Sequence, residues 1–221
     1  MSQPTSASPA DDVNALGVSI FRRELRALRE PFRLLKHARS LWRAPKGNRT
    51  VMVIPGYTTN DLVMAPLRRY LRSRGHHVRG WGLGLNRGNV DANLTGFVAQ
   101  VEALVSDTGG KPVTLVGWSL GGVFARETAR TRPELVAELI TLATPTRQYT
   151  RAAQDPSAPL ITQPVTVFCS TRDSVVGNIG CFDERNPSVE TIEVDSSHLG
   201  ITLDPTVWLR IAHQLAGHRP G

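Results

Sequence analysis

Short apolar runs alternate with longer segments of helical periodicity along most of the chain. Strand-like runs lie near residues 50–55, 77–82, 113–118, 138–143, 164–169 and 189–194. Helical patterns fall near residues 61–74, 91–107, 121–131 and 204–216. Strands that alternate with helices predict an α/β fold, in which a mostly parallel sheet of about six strands carries helices on both faces.

The third strand-like run ends in a glycine-flanked serine, Gly117-Trp118-Ser119-Leu120-Gly121. An apolar strand precedes this pentapeptide and a helical segment follows it, so the serine is predicted to lie on the turn between them. Such a turn exposes the hydroxyl, and a β-carbon two residues to either side would collide with the neighbouring strand or helix. The pattern is typical of a serine nucleophile.

A nucleophilic serine requires a base and a carboxylate that orients the base. Asp173 lies in the loop after the strand at 164–169, and His198 lies in a polar loop just before the last helix. Parallel strands bring such loops to one edge of the sheet, so we expect Ser119, Asp173 and His198 to form a catalytic triad in that chain order.

Three other acidic residues compete with Asp173 for the role of orienting carboxylate. Asp195 is close to the histidine in the chain, and Asp183 and Glu184 lie in a loop. Asp173 is preferred because it directly follows a strand, whereas the others are poorly placed to reach the far nitrogen of His198. The sequence leaves this choice open.

Two backbone N–H groups are needed for the oxyanion that forms when a serine attacks a carbonyl. Leu120 directly follows the nucleophile at the start of a helix, and its amide is one candidate donor. Tyr57, after Pro55-Gly56 at the end of the first strand, is the other. Tyr57, Trp118 and Leu199 are also the candidate substrate-binding residues.

These motifs together resemble the α/β-hydrolase superfamily, and within it the small bacterial esterases and lipases that lack a large cap. The resemblance covers about residues 49–216. It rests on the glycine turn after the first strand, the turn at Ser119, and the segments Leu142-Ala143-Thr144-Pro145, Ser170 to Asp173 and Ser197-His198-Leu199-Gly200. Where many lipases carry His-Gly at the oxyanion turn, this chain has Pro55-Gly56.

Chain length and the spacing of the strands limit the domain organisation. With 221 residues, 40% of them hydrophobic, the chain can bury one substantial core. We expect a disordered segment at 1–15, a basic helical extension at 16–46 and a catalytic domain at 47–221. The resemblance implies that a cap would be inserted between the strands at 138–143 and 164–169. The roughly twenty residues there, with Tyr149 to Pro159 as at most a small flap, predict an open cleft without a cap.

The net charge of +7 is concentrated at the start of the chain. Residues 1–50 carry ten Lys and Arg against four Asp and Glu, which leaves +1 for the other 171 residues. The domain is therefore not predicted to bind nucleic acid. The basic region has an apolar stripe at helical spacing, which predicts an amphipathic helix. Its members are Phe21, Leu25, Leu28, Phe32 and Leu35. We favour packing of this helix on the domain, with contact to an anionic membrane or a partner as the alternative.

The remaining features favour a protein without cofactor or metal. The glycines of Trp81 to Gly88 lack the spacing of a nucleotide fingerprint. We favour a solvated Arg87 there, with contact to an anionic substrate group as the alternative. His76 and His77 are adjacent, so they point to opposite faces of a strand. No signal peptide or membrane span is evident, and we expect a cytoplasmic protein with reduced Cys169 and Cys181. A disulfide between them, and peripheral membrane association, are the alternatives.

The sequence as a whole predicts a serine hydrolase that cleaves carboxylic esters through an acyl-enzyme intermediate, acting on a small-molecule or lipid acyl ester. An acyltransferase or thioesterase would use the same triad. A membrane- or partner-binding module that retains the hydrolase fold is the alternative from another functional class.

Overall fold

A computed structural model describes residues 30–146, 154–155, 157–173, 175–177, 179–181, 186 and 188–217 of the chain. The expectations for residues 1–15 and for the first part of the 16–46 extension lie outside these residues. So does most of the flap expected from Tyr149 to Pro159.

Two short helices precede the sheet, and six strands then alternate with helices. The helices are α1 (Glu30–Lys36), α2 (Ala38–Arg43), α3 (Ala65–Ser73), α4 (Val90–Asp107), α5 (Leu120–Thr131) and α6 (Pro205–Leu215). The strands are β1 (Thr50–Ile54), β2 (His77–Gly80), β3 (Val113–Trp118), β4 (Val136–Leu142), β5 (Val165–Ser170) and β6 (Val189–Val194). Short 3₁₀ turns occupy Pro133–Leu135, Ile179–Cys181 and Gly200–Leu203.

The six strands form one sheet in the order β2-β1-β3-β4-β5-β6, and each neighbouring pair is parallel. The predicted sheet is thereby confirmed. After β1, the chain adds β2 on one side of that strand and then β3 on its other side, so the strand order reverses between β1 and β3. In open parallel sheets the carboxyl ends of the strands flanking such a reversal border a crevice that binds ligands. Ser119 follows β3 and Tyr57 follows β1, so both lie at this crevice.

Helices cover both faces of the sheet and enclose two apolar clusters. Phe97 of α4 and Phe124 of α5 pack edge to face in one cluster. Leu67 of α3 and Trp208 of α6 lie in the other, against the opposite face. Because both faces are buried, β1, β3 and β5 read as nearly continuous apolar runs rather than as alternating patterns.

Helix α3 begins four residues later than the sequence pattern predicts. Asp61 does not cap it, since Met64 occupies the N-cap position. The Asp61 carboxylate instead accepts hydrogen bonds from the amides of Trp81 and Gly82, at 3.1 and 3.2 Å. A residue that looks like a helix cap thus ties the loop after β1 to the end of β2.

The two N-terminal helices pack on the domain, but not through the predicted stripe. Leu41 is buried and Leu34 is partly buried in the cluster that contains Trp208. Phe32 and Leu35, the described members of the stripe, are 71% and 76% exposed. The expectation that the stripe faces the domain is therefore wrong for these residues, because Leu34 and Leu41 form a second apolar face on the same helices.

The two cysteines form a disulfide, so the expectation of reduced thiols is wrong. Cys169 is a buried residue near the end of β5, and Cys181 lies in the 3₁₀ turn at Ile179–Cys181. Their Cα atoms are 5.8 Å apart. Both side chains are buried beside each other, a proximity that their separation of twelve residues did not reveal. The bridge closes the loop that contains Asp173.

Candidate active site

The serine turn places Ser119 in a backbone conformation that non-glycine residues rarely adopt. Its φ and ψ are 51° and −123°, between the last residue of β3 and the first residue of α5. The Ser119 amide donates to the Leu142 carbonyl at 2.8 Å, which fixes the turn against β4. Strain of this kind persists only where the surroundings hold it, and it is concentrated at functional sites.

The flanking glycines allow this turn to pack closely on both sides. A β-carbon on Gly117 would lie 2.4 Å from the Gly122 Cα, inside the start of α5. One on Gly121 would lie 2.5 Å from the carbonyl oxygen of Ile54, at the end of β1. Both contacts are with backbone, which cannot move aside as a flexible side chain can. The turn therefore requires glycine on each side of the serine.

His198 lies between Ser119 and Asp173 and contacts both. Its Nε2 is 3.0 Å from Ser119 Oγ, and its Nδ1 is 2.7 Å from Asp173 Oδ2. The side chains of His198 and Asp173 are nearly buried, with 9% and 2% of their surface exposed. Loops after β3, β5 and β6 supply the three residues, as the order of the motifs predicts. This arrangement can pass a proton from the hydroxyl to the imidazole.

The surroundings of Asp173 favour its ionised form. Burial raises the pKa of this carboxyl, but the hydrogen bond and charge of His198, together with two backbone hydrogen bonds, outweigh that effect and bring the pKa below its ordinary value. The amides of Val175 and Val176 add to the lowering by donating to Asp173 Oδ1 at 2.7 and 2.8 Å. A carboxylate held in this way can orient the imidazole and stabilise its cation.

Of the competing acids, Asp195 lies away from the histidine nitrogen. Its side chain is 64% exposed and forms an ion pair with Arg172. Asp183 and Glu184 lie outside the described residues. Among the acids that the structure describes, Asp173 is the one bonded to His198 Nδ1.

Trp118 contacts His198 through both a hydrogen bond and its ring. Its indole N–H donates to the His198 carbonyl at 3.0 Å, and the two rings lie 5.5 Å apart between centroids. Trp118 is 5% exposed and belongs to the cluster beneath the sheet. The residue before Ser119 thus positions the loop that carries His198, which its place in the sequence motif did not indicate.

A buried polar network holds the rest of the histidine loop. Ser196 Oγ donates to the carboxylate of Asp204, whose side chain is 1% exposed. The same carboxylate accepts from the Thr206 amide at 2.7 Å, which caps α6, and from Arg33 of α1 at 3.0 Å. Ser170 Oγ in turn donates to the Ser196 carbonyl. Asp204 therefore links the N-terminal helices, the last helix and the loop that carries His198.

Sequence reasoning missed Asp204 as part of the site. The signal present in the sequence, Asp followed by Pro before an apolar helix, indicates an N-cap and no more. The contact with Arg33 spans 171 positions along the chain, so no local pattern could reveal it.

The candidate oxyanion donors face the same cavity as the serine. Leu120 is the first residue of α5, so its N–H has no acceptor four residues earlier in that helix. Tyr57 lies on the loop after β1, where a β-carbon on Gly56 would come within 3.2 Å of Ser119 Cβ. The backbone of this loop therefore approaches the serine closely. The Tyr57 ring packs over Gly88 and is 58% exposed.

A cavity of about 420 Å³ opens at Ser119. Among the described residues its lining consists of Tyr57, Arg87, Gly88, Asn89, Val90, Asp91, Ser119, Leu120, Pro145, Val175 and Val176. Of the candidate substrate-binding residues, Tyr57 lies in this lining, whereas Trp118 packs beneath His198 and Leu199 is outside the lining. Arg87 also borders a second cavity of about 330 Å³, lined by Trp81 and Phe124.

Within the described part of the chain, His, Cys, Asp and Glu side chains do not gather in threes as a metal site requires. In the same residues no helix combines the length and the apolar character needed to cross a bilayer.

Comparison with known proteins relates part of this chain to a known fold. A family model for the alpha/beta hydrolase fold matches residues 77–158. A pimeloyl-[acyl-carrier protein] methyl ester esterase of Aliivibrio salmonicida (strain LFI1238) is 32% identical over 108 residues. That match covers 48% of this chain and 40% of the esterase, so the chain matches less than half of this relative.

Solved structures agree over a larger part of the chain. An esterase of Pyrococcus furiosus superposes with a TM-score of 0.61 at 19% identity, covering 76% of this chain and 82% of that one. A monoacylglycerol lipase of Paleococcus ferrophilus gives 0.59 at 16% identity, covering 79% and 97%. At such identities the likeness concerns the fold. The parallel sheet, the family model and these superpositions together show that the chain has the α/β-hydrolase fold.

Proposed function

We propose that this protein is a serine hydrolase that cleaves carboxylic esters through an acyl-enzyme intermediate. The observation that carries the proposal is the chain of contacts from Ser119 Oγ through His198 to Asp173, at 3.0 and 2.7 Å. The α/β-hydrolase fold and its similarity to esterases and a lipase add support. The fold by itself would not support a specific reaction, because proteins with this fold catalyse many different reactions.

In the proposed reaction, Ser119 Oγ attacks the ester carbonyl carbon while His198 Nε2 takes the hydroxyl proton. The tetrahedral intermediate collapses, the bond to the alcohol oxygen breaks, and His198 gives the proton to the departing alcohol. Water then attacks the acyl-enzyme with His198 again as base. The products are a carboxylic acid, an alcohol and the free serine, and Asp173 holds the imidazole throughout.

The backbone amides of Tyr57 and Leu120 serve as the proposed oxyanion donors. The Leu120 amide lies at the positive end of α5, where a helix favours negative charge. Amides that are fixed before the reaction stabilise the oxyanion without reorganising. Their location beside Ser119, in the lining of one cavity, supports this role.

The cavity beside Ser119 suggests the class of substrate. Its volume of about 420 Å³ is typical of a site for a small ligand. One part of the cavity lining is apolar and consists of Val90, Leu120, Pro145, Val175 and Val176. Arg87 and Asp91 contribute charged groups to the same lining. We propose an ester with an acyl chain of modest length, with Tyr57 as part of the wall.

The proposal is tested by turnover of activated esters and by covalent labelling. The full chain should hydrolyse p-nitrophenyl esters of short and medium chain length. Ser119→Ala should lower kcat by at least about a thousandfold, because the covalent intermediate cannot form. A fluorophosphonate should add to the wild type once, on the peptide that contains Ser119, as read by mass spectrometry.

Ser157→Ala is the matched control, since Ser157 is exposed and its hydroxyl donates to the nearby Asp155 carboxylate. This variant should keep full activity and full labelling. Retention of activity by Ser119→Ala, or labelling of another residue, contradicts the proposal. Adding an alcohol or a thiol acceptor during turnover distinguishes hydrolysis from acyl transfer, because a transferase yields the new ester or thioester in place of the free acid.

A further inference from the structure

The two N-terminal helices behave as one rod with two apolar faces. His37 separates them, yet its amide donates to the Arg33 carbonyl at 3.0 Å, and its carbonyl accepts from the Leu41 amide at 2.9 Å. Helical hydrogen bonding therefore continues through the break. Leu34, Leu41 and the following Ala44 face the domain, and Leu41 and Ala44 are 7% and 5% exposed.

The opposite side of the rod presents large apolar groups to solvent. Phe32, Leu35 and Trp42 are 71%, 76% and 76% exposed. Together with Arg39 they follow spacings of three, four and three residues, which places them along one side of a helix. We call Phe32, Leu35, Lys36, Arg39, Trp42 and Arg43 the outer helix face. Scattered exposed leucines are ordinary, but three large apolar groups on one side of a short helix indicate a surface that is covered by something.

The outer helix face is also strongly basic. Lys36, Arg39 and Arg43 are exposed, and among the described residues none of them has a carboxylate partner in an ion pair. Residues 31–60 contain no Asp or Glu at all. Arg33, on the inner side, is the cation whose charge is matched, by Asp204.

Trp42 is held in place before any partner arrives. The guanidinium of Arg74 lies 5.2 Å from the centre of its ring and donates to its backbone carbonyl. Arg74 itself is buried. An indole fixed at the edge of an apolar and basic surface has the amphipathic character that places tryptophan at the boundary between lipid headgroups and acyl chains.

We propose that the outer helix face binds the surface of a bilayer that contains anionic phospholipid. Apolar side chains alternate there with cations and no acid intervenes, which is the composition of helices that lie in the membrane interface. A second copy of the chain fits this face poorly, because a twofold contact would bring two sets of unmatched cations together. The sequence extends the apolar spacing through Phe21, Leu25 and Leu28, in a stretch where four arginines outnumber the two glutamates.

Vesicle flotation with the full chain tests the proposal without depending on turnover. The protein should float with phosphatidylcholine vesicles that contain about 30% phosphatidylglycerol and should stay behind with phosphatidylcholine alone. Raising the salt should release it, because screening weakens the attraction of exposed charges. Equal binding to both vesicles, or to neither, overturns the proposal.

Two variants separate the apolar and the ionic contributions. Phe32→Ser/Leu35→Ser/Trp42→Ser and Lys36→Gln/Arg39→Gln/Arg43→Gln should each weaken binding to anionic vesicles by at least about tenfold. Leu160→Ser is the control, since Leu160 is also exposed but directly precedes Ile161, which belongs to the cluster on the opposite face of the sheet. It should bind as the wild type does.

Circular dichroism should show that both variants remain folded, because the replaced side chains are largely exposed. Wild-type affinity in the apolar variant overturns the proposal. A concentration-dependent dimer in sedimentation, lost in the apolar variant, also overturns it and assigns the face to a second copy. Hydrolysis of a soluble ester should be unchanged in both variants, so failure to bind vesicles leaves the proposed hydrolase activity separately testable.

Discussion

The turn that carries Ser119 and the loop that carries His198 reach the same site but are held by different forces. Around Ser119 the constraint is steric, since Gly117 and Gly121 lie against backbone atoms that leave no room for a β-carbon. Around His198 the constraint is polar, through Ser196, Asp204 and the Trp118 indole. A steric constraint fails abruptly when one atom is added. A hydrogen-bonded network weakens in steps, as each partner is removed.

The largest effect is expected from adding one carbon to the serine turn. Gly121→Ala places a methyl group about 2.5 Å from the Ile54 carbonyl oxygen, and backbone must move to relieve the clash. We expect the free energy of unfolding to fall by about 3 kcal/mol. Esterase activity should be lost with it, because Leu120 and Ser119 move together. Urea denaturation, monitored by circular dichroism, measures the change in the free energy of unfolding.

Gly96→Ala provides the contrast within the same protein. Gly96 lies on the exposed side of α4, and a β-carbon there would meet nothing within 4 Å. Because alanine has a higher helix propensity than glycine, the free energy of unfolding of this variant should rise by about 0.8 kcal/mol, and its activity should be unchanged. If the two alanine variants had similar stability, the steric account of the serine turn would be wrong.

The same difference explains how much the sequence could predict. The serine turn is encoded by five consecutive residues, and a parallel sheet of about six strands follows from the alternation of strands with helices, so both could be predicted from local signals. Asp173 and His198 could be proposed from their positions after strands. The network around Asp204 could not, because its partner Arg33 reaches it only through the packing of α1 against α6 and the 3₁₀ turn at Gly200–Leu203.

The N-terminal helices show a second reason why prediction fell short. The sequence pattern identified an apolar stripe through Phe32 and Leu35, and the structure exposes both. Leu34 and Leu41 make a competing apolar face, and hydrophobic periodicity cannot tell which of two faces turns inward. The ion pair of half-buried Arg33 with buried Asp204 identifies the inner face, and it depends on a contact between residues far apart in the chain.

An intermediate effect is expected from weakening the polar network. Asp204→Asn keeps an acceptor for the Thr206 amide but removes the charge that faces Arg33 and Ser196. The free energy of unfolding should fall by about 2 kcal/mol, as expected for buried hydrogen bonds to a charged group. Since Ser196 is two residues from His198, kcat should fall about tenfold while KM changes little.

Arg33→Gln is the matched variant, because it removes one partner and leaves the Asp204 carboxylate in place. The Arg33 side chain is 36% exposed, so its ion pair should contribute no more than about 1 kcal/mol. Stopped-flow kinetics and urea titration of both variants decide the point. A kcat that stays at the wild-type value in Asp204→Asn would show that the network stabilises the fold without positioning the base.

The smallest effect concerns the dependence of stability on pH through Asp173. The pKa of this carboxyl is lower in the folded protein than its ordinary value of 3.8, so the ionised form favours folding. That contribution is present above pH 3.8 and is lost as the pH falls through the lower folded pKa. Asp173→Asn cannot ionise, so the stability of the wild type relative to this variant should decrease on acidification. Urea titrations of both proteins at pH 6 and at about pH 3 measure the change. The serine turn contains no titrating group, so its contribution to stability should not change with pH. If the difference in stability between the wild type and Asp173→Asn stayed constant over this pH range, steric contacts rather than charge would hold the histidine side of the site as well.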